Sequence, residues 1–104
     1  FGSDLDKATQ SQLNRGLRLQ EILKQVQYEP MSLENQVLVL FAGVNGFVDH
    51  VSVDRVKRWE HEFLRYMETS HPEIGKDIAD KRMLIPETEK KLRDVLQTFN
   101  LSWT

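Results

Sequence analysis

Residues Ser32 to Val44 read SLENQVLVLFAGV, and the fold class turns on whether this stretch is a strand or a helix. Val37 to Leu40 is the one β-rich run in the sequence. Ser32 stands where a short oxygen-bearing side chain accepts from an unpaired amide of a first helical turn, and Glu34 puts an acid where the helix dipole favours it. Leu33, Val37, Leu38, Leu40, Phe41 and Val44 make the segment apolar almost all round, which predicts a central helix, the most buried of the molecule. No stretch of the sequence alternates apolar and polar residues between hairpin turns, so the expectation is an all-α fold. Gly43 and Gly46 bracket Val44-Asn45 and predict a turn or a close backbone approach before Phe47 and Val48.

Working outward, the upstream segment Asp6 to Val26 carries Ala8, Leu13, Leu17, Leu19, Ile22, Leu23 and Val26 at mixed spacings of three and four, the mark of an amphipathic helix. Asp4 and Asp6 sit at its start, and Ser3 or Asp4 supplies the cap. Glu29-Pro30 breaks the pattern, because the residue before a proline is pushed out of the helical region. Downstream, Ser52 or Asp54 opens a third helix in which Val53, Val56, Trp59, Phe63, Leu64 and Met67 recur until His71-Pro72. Glu73 to Arg82 reads as a short helix anchored by Ile74, Ile78 and Ala79. Pro86 in a first turn, Glu87 and Glu89 behind it, and Leu92, Val95, Leu96 and Phe99 describe the last one. The tail Leu101 to Thr104 is expected to fray unless Trp103 folds back. The total is a compact bundle of about five helices in a single domain, with no internal repeat and no linker.

Composition narrows the functions. The chain has 104 residues, 14 Lys+Arg against 16 Asp+Glu, and a formal charge of -2, so no basic surplus exists to neutralise a phosphate backbone and nucleic acid is not an expected partner. It has no cysteine, which excludes a disulfide frame, a thiolate nucleophile and a Cys-ligated zinc site together. The longest apolar run, Val37 to Val44, is less than half of the ~20 residues that span a bilayer, so direct membrane insertion is not expected. The sequence opens on Phe1 and not on Met, and the expectation is that it is a piece of a longer polypeptide.

No G-x-S-x-G elbow and no G-x-x-x-x-G-K-[ST] loop occurs, and no H-x-x-x-H pair that would ligate a metal, so neither catalytic nor metal-binding residues are assigned. His50, His61 and His71 read as solvated surface and helix-end histidines. Glu60 and Glu62 beside His61 read as a charged helix face. Gly2-Ser3 before a helix suggests an anion cradle, but Asp4 and Asp6 in the same turn repel a phosphate and leave an exposed acidic tip suited to a basic or polar partner. Gln25-Val26-Gln27-Tyr28-Glu29-Pro30 has two amides that each donate and accept, next to an aromatic ring, on an expected irregular loop after the first helix. Such a group reads the edge of a purine while a ring covers its face, and the same residues serve equally as an ordinary polar helix end.

The motifs settle on a family. Phe1-Gly2-Ser3-Asp4-Leu5-Asp6 with Thr9-Gln10, then Asn14-Arg15-Gly16-Leu17-Arg18-Leu19 and Glu21 through Met31, then E-x-Q-V-x-V-L-F-A-G-V-N-G-F over Glu34 to Phe47, resemble the C-terminal helical domain of F-type ATP synthase alpha subunits. The motif match runs from Phe1 to about Phe47, and from Asp54 onward the helical layout and apolar spacing agree. The resemblance implies a helical rim domain of a regulatory, non-catalytic subunit of a proton-transporting complex, with an upstream nucleotide-binding core absent from this chain. It implies beta subunits and the central stalk as partners, and a membrane-associated complex on its soluble side, in the bacterial cytoplasm, mitochondrial matrix or chloroplast stroma. It places Asp4, Leu5 and Asp6 next to the rotor, and Gln25 and Gln27 at the adenine of a non-catalytic ATP site, a cofactor contact expected only in the full-length subunit. No catalysis is expected of the isolated polypeptide. The alternative is a stand-alone helical protein-interaction domain.

Overall fold

The computed structural model describes the backbone of residues 3–103 and the side chains of residues 7–103. The decisive stretch is a helix. Ser32, in extended backbone, accepts from the Asn35 amide and starts α2, Leu33–Val44, and Glu34 lies in its first turn. Within α2 only Leu33 and Val44, at its two ends, are exposed, so it is the lined-in centre that its composition implies. Around it stand α1 (Ser3–Tyr28), α3 (Val56–Ser70), α4 (Pro72–Lys81) and α5 (Pro86–Ser102), with a 3-10 turn at Val53–Arg55; no strand occurs among the described residues.

Two glycines, one at the end of α2 and one in the turn that follows, hold α2 close to α1. A Cβ on Gly43 would stand 2.8 Å from the ends of both Leu19 and Ile22, so the missing side chain lets α1 and α2 approach closely. Gly46 has φ +82, a left-handed conformation, and a Cβ there would meet Arg15 Nη2 at 2.6 Å. That guanidinium binds Asp49 (Arg15 Nη2 to Asp49 Oδ2, 2.8 Å), and Arg18 Nε donates to the Val51 carbonyl at 2.7 Å. The turn is therefore moored to α1 by two arginines one helical turn apart.

α3 begins later than Ser52 or Asp54: the backbone enters through the 3-10 turn and becomes α-helical at Val56, with no side-chain cap at Ser52 or Arg55. Pro72 opens α4 and Pro86 opens α5, each at a position where an absent N–H costs nothing. Arg82, with φ 54, ends α4 in the left-handed conformation. The core draws aliphatic side chains from every helix and includes an aromatic wall between α3 and α5. Trp59 stacks on Phe63 with centroids 5.0 Å apart and meets Phe99 edge-on at 5.7 Å. Trp59 Nε1 donates to Asn100 Oδ1 at 2.9 Å, and Asn100 Nδ2 donates to the Phe47 carbonyl at 2.9 Å, so each of these polar groups has its partner.

The tail does not fray through Trp103. α5 runs to Ser102, and the Trp103 indole folds back under Arg55, whose guanidinium is 4.6 Å from the ring centroid, while its N–H donates to Glu62. Thr104 lies outside the described residues.

Candidate functional site at the end of the first helix

The segment Gln25 to Pro30 is the first candidate. It is not a loop at the glutamines. α1 continues through Tyr28, and the Glu29 amide still donates to the Gln25 carbonyl at 2.8 Å, so the backbone leaves the helix only at Glu29-Pro30. Two residues two apart on a helix point about 200° away from each other. Gln25 is accordingly half-buried on the side facing the bundle, whereas Gln27 is exposed beside Tyr28, which is 75% exposed. The two amides flank the helix end from opposite sides and do not form one flat pair.

The other candidate, Asp4-Leu5-Asp6, occupies the first turns of α1 by its backbone; its side chains lie outside the described residues. About twenty residues of continuous helix at 1.5 Å each put it roughly 30 Å along the axis from the glutamines. The two candidate regions are thus the two ends of one rod. Its first half projects: every described side chain from Lys7 to Arg15 is exposed, and Ile22 is the first to be fully buried.

Beyond α1, the connection residues 29–32 cross the start of α3. Glu29 Oε2 is 3.2 Å from His61 Nε2, and Glu29 Oε1 is 3.8 Å from Lys57 Nζ. His61 is thus on the surface, as its neighbours in sequence imply, but as the partner of this connection. Glu60 departs from the charged-face expectation. It is 0% exposed, and neither carboxylate oxygen has a hydrogen-bond partner among the described residues. Burial, and secondly the negative charge of Glu29, push its pKa up to about 7. The spacing carries the signal: Glu60 falls inside the inward stripe Val56, Trp59, Phe63, Met67, although its charge argues for the outer face.

His50 lies in the turn after α2, His61 on α3 and His71 between α3 and α4, and among the described residues no group of three potential metal ligands converges. What the site offers is recognition: amide donors and acceptors, an exposed phenol ring, and the unpaired carbonyls at a helix end. No helix among the described residues is long and apolar enough to cross a membrane.

Comparison with known proteins agrees with this architecture. The family model described as "ATP synthase alpha/beta chain, C terminal domain" matches residues 1–99. The present sequence is 50% identical over 99 residues to the ATP synthase subunit alpha of Desulforudis audaxviator, an alignment covering 95% of this chain and 20% of that protein. It is also 50% identical over 103 residues to the mitochondrial ATP synthase subunit alpha of Neurospora crassa, covering 99% of this chain and 19% of that one. It therefore spans about a fifth of the length of these relatives, and the similarity extends well past Phe47, through the aromatic wall of α3 and α5. By a match over nearly its whole length, this polypeptide belongs to the family of C-terminal domains of the ATP synthase alpha and beta subunits.

Proposed function

We propose that this chain serves as the C-terminal helical domain of the regulatory, non-catalytic alpha subunit in a proton-transporting F-type ATP synthase. The observation that carries the reading is the 50% identity to two alpha subunits over 95% and 99% of the sequence. In this role it forms part of the rim of a ring with beta subunits, on the soluble side of a membrane-associated complex. Asp4, Leu5 and Asp6 meet the central stalk. Gln25 and Gln27 lie at the adenine of a non-catalytic ATP site whose phosphate contacts come from the rest of the subunit.

The geometry gives this role a mechanical content. α1 is one uninterrupted helix from the acidic end to the glutamine end, and Arg15 and Arg18 moor its middle to the turn after α2. A push at one end of such a rod moves the other end as a rigid body and leaves its internal hydrogen bonds intact. Nucleotide handling and rotor contact are in this way coupled through a single element. Bond cleavage needs a phosphate loop, a metal and a charge-stabilising cation, which belong to other parts of the assembly.

The test uses the whole subunit. Gln25→Ala combined with Gln27→Ala is expected to shorten retention of ATP at the non-catalytic site, measured as bound nucleotide after gel filtration. Because Gln27 is the exposed member, Gln27→Ala alone is expected to carry more of the loss than Gln25→Ala. Unchanged retention in the double variant removes both residues from the site.

A further inference from the structure

Glu60 takes no part in the role just described, and it is the one fully buried carboxyl of the described residues. Lys57 and His61 are one turn apart on the outer side of α3 and both hold Glu29; Glu60 belongs to that same turn on its inner side. The clamped Glu29 thus lies across the turn that carries Glu60, and its charge acts on the buried carboxyl. The connection is tied mainly at its ends: the Glu29 amide donates to the Gln25 carbonyl, Ser32 accepts from the Asn35 and Gln36 amides, and between them Pro30 has no N–H to donate and the Met31 carbonyl accepts from Gln36 Nε2 at 2.9 Å. Val26 and Met31, on either side, are half-buried against the core.

We propose that Glu60 is a protonation-controlled latch on the connection between α1 and α2. With its proton, the carboxyl is neutral and lies closed in beneath Glu29, and the last turn of α1 stays docked on α3. When the proton leaves to solvent, a negative charge remains in a place with no donor to receive it and with a second carboxylate overhead. Water entry and displacement of Glu29 relieve both penalties, and both require the connection to lift. The elements packed around α3 also carry Glu21 and Lys24 on α1, Glu34 on α2, Arg55 in the 3-10 turn and Glu73 on α4, but Glu29 is the group whose charge acts on Glu60. His61 holds the cover through its 3.2 Å contact with Glu29. The latch involves these residues alone and stands whether or not the glutamines meet a base.

Amide hydrogen exchange on the 104-residue chain tests it, with rates corrected for intrinsic chemistry, from about pH 5 to about pH 8.5. Protection at Glu29 and Gln36 is expected to fall roughly tenfold per pH unit up to about pH 7 and then to level off, while the amides of α5 remain the slower exchangers. Glu60→Gln is expected to abolish this slope, and Glu29→Gln to move the levelling point to lower pH by removing the like charge. A flat profile at the connection, with any slope confined to globally exchanging amides, overturns the latch, as does a slope that survives in Glu60→Gln. Should Glu60→Gln fail to fold, the carboxyl carbon resonance of Glu60 in the unmodified protein decides. Titration of that resonance together with the Glu29 amide is the expected result, and independent titration overturns the proposal.

Discussion

Glu60 and Asp77 are carboxylic acids whose surroundings push their proton affinities in opposite directions. Asp77 accepts from Lys81 Nζ at 2.7 Å and from Thr88 Oγ1 at 2.5 Å, and these bonds lower its pKa from 3.8. Its contribution to stability is present above 3.8 and is lost as pH falls through the lower, folded value. Glu60 has the opposite sign. Its pKa rises from 4.5 to about 7, so between those values the folded protein keeps a proton that the unfolded one has released. Stability is full below 4.5 and drains away as pH rises to about 7, by about 3 kcal/mol in all. Urea unfolding between about pH 4 and about pH 8 is expected to show this decline, and Glu60→Gln to flatten it. A stability that rises monotonically over that interval would contradict the assignment. The sequence offers both halves of this result: the helical period puts position 60 inward, and the residue type argues for outward. Period decides, because leaving Glu60 outside would mean rotating Trp59 and Phe63 out of the core.

At the scale of the elements, α2, α4 and α5 are legible almost to the residue because each carries its own punctuation: Ser32 before α2, Pro72 and Pro86 as first residues of α4 and α5. α1 is legible as a helix but not as a packing surface. Of its apolar residues Ile22 is buried and Leu19 and Val26 are half-buried, at spacings of three and four. Leu13 and Leu17, 60% and 47% exposed, lie on the far side of the cylinder, so the mixed spacing encodes two faces. The end of the helix is only partly legible: Glu29-Pro30 marks where the backbone must leave, but Gln25 to Tyr28 are mostly polar or aromatic and carry no apolar period, so the helix runs to Tyr28, two residues beyond the expected Val26 and through the expected glutamine loop. Two substitutions separate these features. Leu13→Ser with Leu17→Ser is expected to destabilise the 104-residue protein by no more than about 1 kcal/mol, mostly through lower helix propensity, since about half of each side chain stays in water after folding. Gly16→Ala is expected to stabilise by about 0.5–1 kcal/mol, because Gly16 sits inside α1 and an added Cβ meets nothing within 4 Å. Thermal melts of the two variants check both; destabilisation by the serine pair well beyond about 1 kcal/mol would show that these leucines pack inside this domain after all.

Across the whole molecule, the parts distant in sequence are joined by a series of aromatic, amide and arginine contacts. Trp59 on α3 holds Asn100 on α5, and Asn100 holds the carbonyl of Phe47 in the turn after α2, the same turn that Arg15 and Arg18 fasten to α1. That network links α1, α2, α3 and α5 through residues that no local pattern marks, because a hydrogen bond spanning 41 or 53 positions leaves no trace in periodicity. The exposed ion pairs within single helices, by contrast, contribute little each. Trp59→Phe breaks the link and leaves a small gap in the core. The ring volume falls modestly and the stacking on Phe63 can persist, but Asn100 Oδ1 loses its donor in a partly buried place. The expected cost is about 1–3 kcal/mol. Asn100→Ala removes both bonds at once and leaves the Trp59 indole and the Phe47 carbonyl unpaired, so it is expected to cost at least as much. Because the two substitutions break the same Trp59–Asn100 bond, their effects are expected not to add: the double variant should fall short of the sum by about 1 kcal/mol or more, measured by denaturant unfolding of all four proteins. Strict additivity would mean that the indole and the amide act independently, and that α3 and the turn after α2 are tied through some other contact.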